Sequence, residues 1–260
     1  MKSKKQWVLT MIGAGMIFCL ISDVSSGSAA TGSSASPVPD NGIYAGLLAA
    51  HVKNGVVDYA GFKRDELLLD QYLNLLENTD VARLPRNGQM AYYINLYNAW
   101  TIKLILSNYP DVQSIKDLGG FFSGPWKIQL VRLKGDLATL DHIEHDILRP
   151  TFKDPRVHFA VNCASKGCPP LLSEPFDEAW LDRQLDQVTR AFINDPRRNY
   201  LAGNILHVSS IFKWFSEDFN DDVVAFFIQY ADKPLKKMLE DKRSGIKIKY
   251  LDYDWSLNGR

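Results

Sequence analysis

The chain has 260 residues, and its 30 Lys and Arg balance 30 Asp and Glu, so the formal net charge at pH 7 is zero. That balance offers nothing to draw nucleic acid or an anionic membrane, and three cysteines are too few to scaffold a chain this long. With 46% hydrophobic and 12% aromatic residues, stability has to come from a large buried core.

Residues 1–30 read as an export signal. Lys2, Lys4 and Lys5 form a basic start, residues 7–21 are almost wholly apolar, and Ser28-Ala29-Ala30 supplies small residues for cleavage. The apolar run of about 15 residues is shorter than the roughly 20 that span a bilayer, so no stable membrane anchor is expected after cleavage. Cys19 follows Phe18, where lipid attachment wants a small residue. Residues 31–40 are small, polar and proline-bearing, which suits a flexible linker. Without Lys2, Lys4, Lys5 and Asp23 the chain keeps 27 basic against 29 acidic residues. Cys163 and Cys168 are then its only thiols, in a compartment that permits their joining.

Within the single domain expected over 41–260, leucines at helical spacing predict helices over 42–52 and 65–77, with Asp58-Tyr59 extended between them. Residues 89–107 are apolar nearly all round, which predicts a helix buried in the middle of the domain and ended by Pro110. Residues 126–133, then Lys134-Gly135-Asp136 and another short apolar run, predict a hairpin. Thr139 caps a helix over 140–148 that stops at Arg149-Pro150. Strands are expected at 157–162, 200–208 and 246–253, and helices at 177–194, 211–215, 221–230 and 235–241. Helices and strands are interspersed without regular βαβ repetition, so the expected class is α+β, a mainly antiparallel sheet packed with helices around the central one. Doubly wound α/β is the alternative.

Chemistry concentrates around HFAVNCASKGCPPLL at 158–172. Cys163 follows an apolar run and precedes a loop whose N–H groups could face an oxyanion, and His158 and Lys166 lie within reach to depress its pKa. On a strand, however, His158 and Cys163 would fall on opposite faces. The thiol is therefore a nucleophile, half of a disulfide with Cys168, or an inert core thiol or metal ligand. On the 140–148 helix, His142, His145 and Arg149 share a face with Glu144 beside it, and either a base for Cys163 or a structural polar network fits. A zinc reading would gather His142, His145, His158 and Cys163, but no HExxH motif supports it, and neither metal nor cofactor is expected. Asn95 and Asn98 are one turn apart in the apolar helix, as fasteners or as part of a pocket. The aromatic blocks 212–215 and 250–255 are either core or a groove for sugar or peptide. Asp218, Asp252 and Asp254 lack calcium-loop spacing and are taken as solvated or capping carboxylates.

Blocks at 91–106 (AYYINLYNAWTIKLIL), 140–150 (LDHIEHDILRP), 156–172 (RVHFAVNCASKGCPPLL), 209–219 (SSIFKWFSEDF) and 250–258 (YLDYDWSLN) together resemble the domain of unknown function 547 family. The resemblance covers essentially 56–258 and keeps Asn95, Tyr97, Asn98, Glu144, His145, Arg149, Arg156, His158 and Cys163 of the family pattern, while Cys168 sits where relatives vary. A suggested kinship with papain-like and transglutaminase-like cysteine hydrolases implies a thiol mechanism, by analogy of fold. The expected activity is thiol-dependent acyl transfer or amide hydrolysis. Cys163 attacks a carbonyl, His145 or His158 carries the proton, Glu144 orients the imidazole, and Asn98 or the loop N–H groups hold the oxyanion. Asn95, Asn98, Arg149 and Lys166 are the substrate-binding candidates, and a peptide or envelope-associated substrate is expected outside the cytosol. The competing class is a non-catalytic binding or scaffold module in which Cys163 and Cys168 are structural.

Overall fold

A computed structural model describes residues 39–120 and 123–259. The signal segment and almost all of the linker expected from sequence lie outside the described residues. No helix among the described residues is long and apolar enough to cross a membrane.

The chain opens with α1 (Gly42–His51), whose end feeds a two-residue hairpin of β1 (Val52–Lys53) and β2 (Val56–Val57). Asn54-Gly55 makes the turn with φ of 52° and 77°, the mirror-image geometry that matches strand twist. Where the sequence predicted extended chain at Asp58-Tyr59, Tyr59 instead starts α2 (Tyr59–Arg64), because the Asp58 side chain caps it by accepting from the Gly61 N–H at 3.0 Å. Then come α3 (Glu66–Glu77) and the long α4 (Arg86–Leu106). The uniform apolarity of α4 has the expected consequence: it is buried on nearly every side, with α2, α3 and the 142–148 segment packed around it.

The predicted hairpin forms from β3 (Val131–Leu133) and β4 (Asp136–Ala138), turned by Lys134-Gly135 at φ of 53° and 86°. The following helix departs from expectation. His142–Leu148 winds as a π-helix and runs straight into α5 (Arg149–Phe152), so Pro150 does not stop it. Proline has no N–H to donate and its ring crowds the carbonyl a turn earlier, and the wider π winding before Pro150 relieves both demands. Lys153 ends the segment in the left-handed region, with φ 53°.

The strand expected at 157–162 is also absent. Pro155–Phe159 forms a 3-10 turn started by Asp154, whose carboxylate accepts from the Arg156 N–H at 3.0 Å. Pro155 presets φ for that turn, and the apolar run is explained by burial in the core rather than by a sheet. Phe159 is packed among Phe192, Phe212, Phe219 and Phe226, with ring centroids 5.1–6.1 Å away. Next are α6 (Leu181–Ile193), whose apolar face covers the 155–159 turn, and a second hairpin, β5 (Tyr200–Ala202) and β6 (Ile205–Val208), where one strand was expected. The chain closes through α7 (Ile211–Trp214), α8 (Val223–Tyr230), α9 (Lys233–Lys242) and β7 (Lys247–Tyr250). The strand β7 pairs parallel with β6, giving the order β5-β6-β7 in a sheet whose other pairing is antiparallel. The class is α+β, with small, mainly antiparallel sheets serving as edges to a helical core.

Candidate functional site

The cysteine loop is held by amides. Asn98, near the middle of α4, donates its Nδ2 to the Ala160 carbonyl (3.0 Å) and accepts the Asn162 N–H (2.8 Å). Asn162 in turn donates to the Pro169 carbonyl (2.8 Å), while its Oδ1 accepts from the Ala164 N–H (2.9 Å) and from Asn258 Nδ2 (3.0 Å). That clamp holds Ala164 at φ 60°, a conformation a non-glycine residue seldom adopts without such support. The loop then runs beside the C-terminal segment: Lys166 N–H donates to Ser256 O and Gly167 N–H to Asp254 O, both at 2.8 Å. Gly167 is required here because a Cβ would lie 2.7 Å from the Tyr253 ring.

Cys163 and Cys168 are joined as a disulfide. Cys168 is nearly enclosed, 4% exposed, and Cys163 is the more open of the two. The Cys168 sulfur accepts from the Cys163 N–H (2.9 Å) and the Tyr253 hydroxyl (3.2 Å), and Ser165 Oγ lies 3.2 Å from the Cys163 sulfur. Burial pushes the Tyr253 phenol up to about 12, so at neutral pH it is a donor toward these sulfurs.

Both sulfurs line a cavity of about 210 Å³. Tyr97 enters it from α4, Asp141, Glu144 and His145 from the π-helical segment, His158 from the 3-10 turn, and Trp126, Trp214, Phe215, Tyr253 and Trp255 build its aromatic wall. The rings are mutually packed, with centroids 4.8 Å apart for Trp214 and Tyr253 and 5.6 Å for Trp126 and Trp255. Trp214 is nonetheless 46% exposed, so the wall opens to solvent.

His158 is the most constrained titratable group of the cavity. Its side chain is 1% exposed, its ring stacks on Phe215 with centroids 4.0 Å apart, and Nε2 lies 2.6 Å from Asp218 Oδ2. A carboxylate only accepts, so the ring donates there. Nδ1 is enclosed and has no hydrogen-bond partner among the described residues. Burial by itself would raise the Asp218 carboxyl, but hydrogen bonds from His158 and Arg149 outweigh it and hold that group well below the usual carboxylate range. Arg149 Nε donates to the same Oδ2 at 2.6 Å, and Arg149 Nη1 donates to His145 Nδ1 at 3.0 Å.

Residues 81–193 match the family model described as "Protein of unknown function, DUF547". The chain resembles the DUF547 family. No curated protein and no solved structure matches it.

Of the residues singled out in the DUF547 resemblance, Cys163, His145, His158 and Glu144 meet in one cavity, although the polar partners of the sulfurs among the described residues are the Cys163 N–H and the hydroxyls of Ser165 and Tyr253, and none is an imidazole. Among the described residues Glu144 makes no ion pair or hydrogen bond to a histidine, and the carboxylate that orients an imidazole is Asp218. Asn95 and Asn98 do not line the cavity. Asn95 binds both the carbonyl and the N–H of Phe176, at 2.8 and 2.9 Å, so both amides fasten backbone to α4. Arg149 lies behind the site, holding Asp218. Lys166 is exposed and absent from the lining. The expected oxyanion donors are also committed elsewhere: the N–H groups of Cys163, Ala164, Lys166, Gly167 and Cys168 all donate within the protein. His142 pairs outward with Asp146 at 2.8 Å, so of the face predicted for His142, His145 and Arg149 only His145 and Arg149 are in contact. Among the described residues no group of three or more His, Cys, Asp or Glu side chains is arranged to hold a metal ion.

Sequence reasoning took Asp218 for a solvated or capping carboxylate. Its one signal was membership of the SSIFKWFSEDF block; the partner lies 60 residues away. Of the aromatic blocks 212–215 and 250–255, Phe212 is fully buried in the core while Trp214, Tyr253 and Trp255 wall the cavity.

Proposed function

We propose that the protein is an exported thiol-dependent acyl transferase or amide hydrolase that works when the Cys163–Cys168 bridge is open. The observation that carries the reading is the His158–Asp218 pair. An imidazole fixed at Nε2 by a carboxylate, with Nδ1 unpartnered, sits in the wall of the cavity that holds the more exposed sulfur. An external dithiol supplies the two electrons and two protons that open the bridge, which frees the Cys163 side chain to turn toward Nδ1. Nδ1 then takes the thiol proton, Sγ bonds to the carbonyl carbon, the C–N bond breaks, and the imidazolium returns the proton to the leaving amine. Water or a second amine releases the acyl group by the reverse steps. The basic and apolar leader supports export, and location in turn supports peptide cross-links of an envelope as the substrate.

The test is the pH dependence of alkylation after mild reduction. With the buried Cys168 replaced by Ser, iodoacetamide should modify Cys163 at pH 6 at least tenfold faster than an ordinary thiol of pKa about 8.5, and His158→Gln should abolish the advantage. An ordinary titration curve, unchanged by His158→Gln, rejects the enzyme reading. A second reading, a non-catalytic binding module with a structural bridge, is favoured by the amide clamp of Asn98, Asn162 and Asn258, which fixes the loop without reference to catalysis.

A further inference from the structure

Glu144 is a buried carboxyl that the proposed chemistry does not use. It is 9% exposed, lines the cavity, and has no ion-pair partner among the described residues. The nearby Tyr97 phenol records its presence: burial raises that group well above its ordinary value, and the Glu144 carboxylate adds to the effect. Asp141, its side chain 39% exposed, contributes a second carboxyl to the lining, with His145 as its ion-pair partner among the described residues, 3.7 Å away. No lysine or arginine joins them among the described lining residues.

A buried carboxylate such as Glu144, without a cation beside it, is costly unless something else neutralises it. The cavity offers an independent sign of what that is. Its remaining walls are aromatic faces, Trp126, Trp214, Tyr253 and Trp255, and such faces attract cations through the ring quadrupole. This cluster already does so once within the chain, where the Lys116 ammonium sits 4.0 Å from the Trp255 ring centroid. His158 Nδ1, enclosed and unpartnered, adds an acceptor on the same lining. A neutral sugar would use the rings but leave the carboxyls without a counter-charge, and an anion would be repelled. At about 210 Å³ the cavity is smaller than the 300–1,000 Å³ usual for drug-sized ligands, and suits one side-chain-sized group.

We infer that the cavity selects a substrate carrying a primary alkylammonium group, with Glu144 as its specificity-determining residue. This names the substrate class of the acyl-transfer site and so rests on that reading, the ammonium belonging either to the acyl donor or to the amine that accepts the acyl group.

The experiment uses the bridged protein and measures binding alone, so its outcome is separate from the reactivity of Cys163. Butylammonium and 1-pentanol, similar in length and differing in charge, are titrated at constant ionic strength against tryptophan fluorescence, with thermal unfolding as a second readout. Butylammonium should bind at least tenfold more tightly than 1-pentanol. Glu144→Gln should remove that preference while leaving 1-pentanol unchanged, and Trp126→Leu should weaken butylammonium with the carboxyl intact. Equal binding of the two probes by the wild-type protein, binding of neither, or a preference that survives Glu144→Gln overturns the inference. The wild-type comparison decides even if a variant misfolds. An ammonium preference beside an inert Cys163 would leave the ligand class standing and remove only the enzyme reading.

Discussion

Replacing Asp218 by Asn tests the most tightly drawn part of the site. The carboxylate accepts from His158 Nε2 at 2.6 Å and from Arg149 at 2.6 and 3.2 Å. Breaking a fully buried charge pair costs about 3–5 kcal/mol. Asp218 is 26% exposed and Arg149 keeps its contact with Glu217, so solvent screening brings the expected loss to about 2–3 kcal/mol. For a domain of this size that is a fall in Tm of about 4–12 °C at pH 7. The pH dependence has a definite sign. The native carboxyl titrates below its unfolded value of about 3.9, so its stabilisation is complete above that pH and fades as the pH falls toward the depressed native value. Melts followed by far-UV circular dichroism should therefore show the wild type and Asp218→Asn converging between about pH 4 and pH 2. If the variant melts within 1 °C of the wild type at pH 7, roughly 0.5 kcal/mol or less, or if the gap is the same at both ends of that range, the carboxylate does not hold His158 and Arg149 as argued.

Asn162→Ala should lower stability by about 3–5 kcal/mol in urea unfolding, because the Pro169 carbonyl, the Ala164 N–H and Asn258 Nδ2 all lose a partner at once; a loss under about 1 kcal/mol would mean that water replaces the clamp. Gly167→Ala drives a methyl against the Tyr253 ring and should cost about 1–3 kcal/mol, with faster reduction of the Cys163–Cys168 bridge by dithiothreitol as the ring moves off the sulfurs; unchanged reduction kinetics would show that Tyr253 does not shield the bridge.

What could be read from the chain is what local physics decides. The apolar circumference of α4 announces its burial, and Lys134-Gly135 between two short apolar runs announces the β3–β4 hairpin. Asn95 and Asn98 declare that something must satisfy them, but not which carbonyl. The misreadings have a common cause, which is that an apolar run records burial without recording its geometry. Residues 157–162 are buried by the aromatic cluster around Phe159, and Pro155 was the one local warning against a strand. The π winding of 142–148 has no residue signature beyond Pro150, and spacing alone does not show that His142 turns outward to Asp146. Asp218 could not be paired with His158 from sequence, since neither periodicity nor spacing links residues 60 positions apart.

The division of the site along the chain carries a consequence for its chemistry. The matched segment 81–193 holds Tyr97, Glu144, His145, His158 and both sulfurs. The carboxylate that fixes His158, and Trp214, Tyr253 and Trp255 of the wall, lie beyond it. The groups that would react, with Glu144 and Trp126, and the carboxylate that orients His158, with the rest of the aromatic wall, are thus contributed by different stretches, brought together when α7 and the 253–255 segment pack onto the 3-10 turn and the cysteine loop. Loosening the C-terminal segment would therefore remove the Tyr253 donor and part of the aromatic wall together with the bonds that Asp254, Ser256 and Asn258 make to the cysteine loop, so the state of the sulfurs and the shape of the cavity are coupled through that segment.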